Sequence, residues 1–270
     1  MKTNYHIHTY RCKHAEGSDE DYIEAAINAG FTEIAFTDHS PWPLYPHESG
    51  MIRMHLDQLP EYVSSLRRLQ EKYKDRIRIK IGLECEYFED RMEWLKQTIT
   101  DNSLETIILG NHFHHFDTFD RYYGSYRDKK NLISDYLEDS LAAIDSGVYH
   151  MFAHPDIFVR SMDRWTPQAE EASRSILLAC KQANLPIEYN LGGARNRFTE
   201  FSYPYPRFWE LAAEIGNDVR IGIDAHSPMD FYDTASIRKA ESFLATLGIK
   251  VNDDPLERKN ALTSVRFGER

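Results

Sequence analysis

Asn4-Tyr5-His6-Ile7-His8-Thr9 stands at the start of the chain and governs how the rest is read. An extended strand alternates its side chains with period two, so His6 and His8 share one face and their imidazoles converge. Downstream, His14, His39, Glu84, His112, His154, Asp224 and His226 stand at or just past the ends of apolar, strand-like runs. Neutral imidazole and carboxylate together suit zinc, manganese or iron. Nine such groups exceed what one ion can use, so the series implies a cluster of about two to three divalent transition-metal ions.

The spacing predicts strands at Thr3–His8, Glu33–Thr37, Ile77–Leu83, Thr106–Leu109, His150–Ala153, Pro186–Tyr189 and Val219–Ile223. Between them it predicts helices over Asp19–Ala29 (capped by Ser18), Leu59–Tyr73, Met92–Thr98, Lys130–Ser146, Gln168–Ala183, Pro206–Ile215 and Thr234–Leu247. No two strands are joined by a hairpin turn, which implies an all-parallel sheet. Successive strand ends carry His6 and His8, Asp38 and His39, Glu84, His112, His154, Asn190, then Asp224 and His226. A barrel builds its site from the C-terminal ends of all its strands, whereas an open doubly wound sheet uses only some of them. The expectation is therefore an α/β protein with a closed or nearly closed ring of seven strands, one domain over residues 1–270.

Composition is ordinary for a soluble globular protein: 41% hydrophobic and 28% charged residues over 270 positions. No apolar run approaches the roughly 20 residues of a membrane span, and the first strand begins too early to leave room for a removable leader. Cys12, Cys85 and Cys180 are odd in number and lack C-x-x-C spacing, which argues against a disulfide framework and for the cytoplasm. The net charge of −11 argues against a nucleic-acid or anionic-membrane surface.

At this point the motifs resemble a known family. His6-Ile-His8-Thr9, His14, Thr37-Asp38-His39, Gly82-Leu83-Glu84, Gly110-Asn111-His112-Phe113, Ala153-His154-Pro155-Asp156 and Ile223-Asp224-Ala225-His226 resemble, in order, those of the PHP superfamily (polymerase and histidinol phosphatase domains). The likeness is closest to its histidinol-phosphate phosphatase branch. It implies a distorted (β/α)7 barrel with the metal site at the C-terminal strand ends. It also implies a trinuclear assignment: His6, His8, Glu84 and Asp224 on one ion, Glu84 with His112 and His154 on a second, and His14, His39 and His226 on a third. Glu84, Asp224 and His226 are then expected to serve catalysis as well.

Such a cluster lowers the pKa of a shared water and neutralises phosphate oxygens, and no Ser or Cys stands in a recognisable nucleophile motif. The expected reaction is hydrolysis of a phosphomonoester by direct attack of a metal-bridging hydroxide, with L-histidinol phosphate the substrate that the resemblance implies, in histidine biosynthesis. The alternative is another activity of this superfamily: a small-molecule or nucleotide phosphatase, or a 3′–5′ exonuclease. Fixed positive charge for the phosphate is expected from Arg160 and Arg197, with Arg195 as a rival to Arg197. Asn190 and His115 are further candidates for substrate contact, His114 shares the loop of His115, and the aromatic run 198–205 is a candidate wall. Glu86 and Asp38 are expected to orient ligands by hydrogen bonds, Cys12 to pack, and His47, His55 and His150 to have no part in the site.

Overall fold

Seven parallel strands lie side by side in chain order: β1 (Thr3–Asn4), β2 (Glu33–His39), β3 (Arg78–Cys85), β4 (Thr106–Gly110), β5 (Met151–Ala153), β6 (Ile187–Asn190) and β7 (Val219–Gly222). A computed structural model describes residues 1–43, 52–115, 118, 121–196 and 201–257. The helices between strands are α1 (Asp19–Asn28), α2 (Leu59–Tyr73), α3 (Met92–Asp101), α4 (Leu132–Asp145), α5 (Pro167–Gln182), the short α6 (Leu191–Arg195) and α7 (Pro206–Ile215), with α8 (Thr234–Thr246) after β7. Ser18 caps α1 and Asp21 reciprocates, as the sequence suggests. The five-residue α6 has no apolar repeat to announce it; Asn190 caps it by accepting from Gly193 N.

The sheet closes on itself through the opening stretch. His8 N donates to Ala225 O at 2.9 Å, Ala225 N to His6 O at 3.1 Å, and Thr37 N to Ile7 O at 2.9 Å, so this backbone is paired on both sides. Asn4 Oδ1 accepts from Ile223 N at 2.8 Å, a side chain standing in for a ladder bond. The anticipated strand Thr3–His8 is not continuous. Its regular part ends at Asn4, because Tyr5 turns to the inner barrel cluster while Ile7 packs in the outer core.

Alternation then sorts the barrel. Ile34 and Phe36 of β2, and Ile79, Ile81 and Leu83 of β3, face the helical layer and belong to the main core. The intervening residues line the interior: Ala35 joins Tyr5, Ile108, Met151, Ala153 and Leu256. At the N-terminal end of the same inner faces, Glu33 Oε1 receives Lys80 Nζ at 2.9 Å and Tyr5 Oη at 2.7 Å. At the C-terminal end they carry His39 and Glu84, which are register partners. Leu256, buried, sits against the lower layer and accepts a hydrogen bond from Lys80. Among the described residues no helix is long and apolar enough to cross a membrane.

Candidate metal centre

The strand ends bring all nine predicted groups together. His6 Nε2, His8 Nε2 and Asp224 Oδ1 form a triangle with sides of 3.1, 3.4 and 3.2 Å. Glu84 lies at the middle of the cluster. Its Oε1 is 3.4 Å from His6 Nε2, 3.3 Å from His112 Nε2 and 2.9 Å from His154 Nε2. Its Oε2 is 3.5 Å from His8 Nε2 and 2.9 Å from His39 Nδ1. His14 and His226 stand at the rim with their Nε2 atoms 2.9 Å apart. The resemblance groups His39 with these two; the geometry also sets His39 against Glu84.

Carboxylates stand behind three of the imidazoles. Glu188 Oε1 accepts from His6 Nδ1 at 2.9 Å, and Glu86 Oε1 from His112 Nδ1 at 3.0 Å. Asp38 Oδ1 lies 3.5 Å from His8 Nδ1, and the same carboxylate accepts from Thr9 and from His39 N. A carboxylate only accepts, so it fixes the proton on Nδ1 and leaves the Nε2 lone pair for a metal. The expected orienting roles of Glu86 and Asp38 match this geometry. Glu188, interior to β6 and remote in sequence from every motif, carried no signal of its own. Backbone strain sits here too: His154 has φ of 33° and Asp224 of 51°, both in the left-handed region that non-glycine residues avoid. Glycines make the room. A Cβ on Gly110 would stand 2.3 Å from Glu84 Oε1, and one on Gly192 would stand 2.4 Å from Asp224 Oδ2.

The donor set fits divalent metals. Among the described residues nothing donates a hydrogen bond to the buried Glu84 Oε2 and Asp224 Oδ1, although imidazole nitrogens surround them. Ligands on a tetrahedral zinc with bonds near 2.05 Å lie roughly 3.3 Å apart, close to the triangle's sides. Burial opposes charge on every group, and the neighbours prevail over it on some groups and not on others. Despite burial, Glu188, Asp224 and Glu84 raise His6 well above the ordinary histidine range. Against the same burial, the nearby Asp224 and Asp38 carboxylates lift His8 to about 9, and Glu84 and Glu86 lift His112 to about 10. His39 is lowered by burial and by His8, and His226 by the same two causes to about 3. Glu84 and Asp224 stay ionised, far below the usual carboxylate range, because surrounding histidines outweigh burial.

Protons therefore occupy part of the cluster when metal does not. Raised histidines keep their protons at neutral pH and must shed them to coordinate. Loading the stripped protein with Zn²⁺ at pH 7.5 is expected to release about three protons per chain, from His6, His8 and His112. The yield falls as pH rises through 9 to 10, where His8 and His112 deprotonate unaided. Calorimetry in buffers of different ionisation enthalpy reads this directly; metal uptake with no proton release would refute it.

A cavity of about 630 Å³ opens over the cluster, walled by Ile52, Phe113, Tyr122, Ile157 and Tyr203. Arg160 lines it and donates to the Tyr122 phenol. Arg195 lines it as well: Nη2 donates to Ile223 O and Asp224 O at 2.9 and 3.1 Å, while buried Nη1 has no hydrogen-bond partner among the described residues. Arg197, His47 and residues 198–200 lie outside the described residues. Two expected substrate contacts do not reach the cavity. Asn190 is buried with its oxygen on Gly193 N and its amide on Glu188 Oε2, so it builds α6 and steadies Glu188. His115 is exposed, its ring 3.8 Å from that of His114, and His114 is bound to Asp139. Cys12 is buried beside His14, its thiol pushed up by burial and by Asp38, which suits packing.

The chain is 29% identical over 227 residues to a Deinococcus radiodurans protein named "Probable histidinol-phosphatase", with 83% of this chain and 85% of that protein covered. It is 27% identical over 261 residues to the histidinol-phosphatase of Lactococcus lactis subsp. lactis, covering 92% and 91% of the two chains. It shares a fold with the crystal structure of the L. lactis histidinol phosphate phosphatase complexed with zinc, L-histidinol and phosphate. The TM-score is 0.73 at 24% identity, with 93% of this chain and 95% of that one covered. Residues 4–192 match the model of the PHP domain, and β7 with Asp224 and His226 extends the same sheet beyond that match. The chain belongs to the PHP domain family.

Proposed function

We propose that this chain is a metal-dependent phosphomonoesterase that hydrolyses L-histidinol phosphate to L-histidinol and phosphate in histidine biosynthesis. The observation that carries the reading is the convergence of six strand ends and the loop carrying His14 on one N/O cluster beneath a cavity that also receives arginine. Its relatives named histidinol-phosphatase support the substrate. Zinc, manganese or iron, about two to three ions, would be held by His6, His8, His14, His39, Glu84, His112, His154, Asp224 and His226. Bound there, the ions would supply a hydroxide nucleophile near neutral pH and neutralise the phosphate oxygens.

The chain's own residues do the rest. Glu188 and Glu86 hold the imidazole protons of His6 and His112 at Nδ1 so that Nε2 faces inward, and Asp38 lies behind His8. The aromatic and aliphatic walls limit water around the reacting centre. Arg160 lines the cavity and would present a cation to the phosphate; Arg195 Nη1 offers a second donor. The single domain over residues 1–270 and the cytoplasmic location remain part of this reading, the latter in keeping with three free, buried cysteines.

A phosphate-release assay on Mn²⁺- or Zn²⁺-loaded protein tests it, across histidinol phosphate, p-nitrophenyl phosphate, nucleotides and short DNA. Histidinol phosphate should give the highest kcat/KM; preference for a nucleotide or DNA would select the other phosphoesterase reading, and no release at all would end both. Arg160→Ala should lower kcat/KM by about one to two decades, the worth of a charge-assisted hydrogen bond of roughly 1.5–3 kcal/mol. Metal content should be unchanged, and Arg160→Lys should recover only part, since ammonium keeps the charge without the two-pronged geometry. Wild-type kinetics in Arg160→Ala would remove Arg160 from phosphate binding.

A further inference from the structure

Three carboxylates back the nitrogens of cluster histidines, and they are not alike. Glu188 is met by His6, His154 N and Asn190. Asp38 is met by Thr9 and His39 N. Among the described residues Glu86 alone of the three is paired with an arginine. Arg53, fully buried, donates Nη2 to Glu86 Oε1 at 2.9 Å and Nη1 to Glu86 Oε2 at 3.3 Å. Trp42 Nε1 adds a bond to Oε2 at 2.7 Å, and Arg53 Nη1 also reaches Ser40 O at 2.8 Å, one residue past His39.

We propose that Arg53 is a positioning residue for the metal centre, acting through Glu86 to fix the aim of His112. A single imidazole bond leaves a carboxylate free to rotate, whereas a guanidinium fork fixes its plane. With Oε2 held by Trp42 and both oxygens by Arg53, Oε1 stays where His112 Nδ1 meets it. Stability alone is a poor account of this pair, because a buried ion pair pays heavily for desolvation and an apolar substitute of similar volume often serves as well. Arg53 also follows Ile52 and lies 5.9 Å from the Phe113 ring, two residues of the cavity wall, so one side chain ties wall, β2 end and β3 end to His112. This inference rests on the metal reading above.

The test is metal affinity, read by chelator competition with Zn²⁺ and by the visible spectrum of the Co²⁺ protein, in Arg53→Met, Glu86→Gln and the double variant. Glu86→Gln should weaken the equivalent that His112 helps to hold about 10- to 100-fold, and Arg53→Met about 10-fold. The double variant should be no weaker than Glu86→Gln, because Arg53 acts only through Glu86. Arg53→Lys, which keeps the charge and spares the fold should Arg53→Met fail, should fall between wild type and Arg53→Met. Trp42→Phe leaves the ion pair and should stay within about 3-fold of wild type. Wild-type affinity and Co²⁺ spectrum in the Arg53 variants, with only Tm lowered, would overturn the proposal, and so would fully additive losses. Wild-type protein that takes up less than one equivalent would instead overturn the metal reading itself.

Discussion

Glu84→Ala should strip more than one metal equivalent from each chain, whereas His226→Ala releases mainly one. The asymmetry follows from position: Glu84 presents Oε1 to His6, His112 and His154 and Oε2 to His8 and His39, so its loss opens two ligand groups at once. His226 stands at the rim and meets His14 and Asp224. Charge compounds the effect. The carboxylate offsets the repulsion among imidazoles and bound cations. Metal ions contribute several kcal/mol to stabilising phosphoryl transfer, so activity should fall by about 10³-fold or more. Glu84→Gln, which keeps one oxygen acceptor without the charge, should lie between. Elemental analysis of metal-replete preparations, with circular dichroism to verify the fold, decides the matter. A full metal complement in Glu84→Ala, or one equivalent or fewer in the wild type, would sink the cluster.

Gly110→Ala should be nearly as damaging, although it adds one methyl group and changes no charge. That methyl would lie 2.3 Å from Glu84 Oε1, 2.6 Å from Glu84 Cδ and 2.5 Å from His112 Cε1. Neither neighbour can yield freely: Glu84 is packed among histidines, and Glu86, clamped by Arg53, holds His112. Overpacking of this kind costs about 1–3 kcal/mol of stability, a Tm loss of roughly 2–12 °C in a chain of this size. The displacement matters more than the stability. A shift of about 1 Å in a positioned group costs on the order of 10² in rate, so kcat should fall about 100-fold in folded protein. Metal content should drop with it. Wild-type kcat in a well-folded Gly110→Ala variant would show that Glu84 and His112 are free to move aside.

What the sequence by itself determined was the ligand set and the ring. Strand-end histidines and carboxylates are legible because period-two alternation and β-then-α order are local properties, readable within a few residues. Leu59–Tyr73 and Pro206–Ile215 form helices over the spans their apolar spacing predicts. The candidate ligand positions were legible for the same reason, all but His14 lying at or just past a strand end. Tertiary structure alone decided what holds those ligands in place. Glu188 backs His6 across 182 positions of chain, and Arg53 meets Glu86 across 33, pairings that exist only once the barrel closes. It decided the fate of Asn190, whose two amide atoms are consumed by Gly193 and Glu188, and of His115, turned out to solvent. It also set the break after Asn4: closing seven strands pairs the opening stretch with Thr37 on one side and Ala225 on the other, a demand that overrides the regular alternation the local sequence prefers.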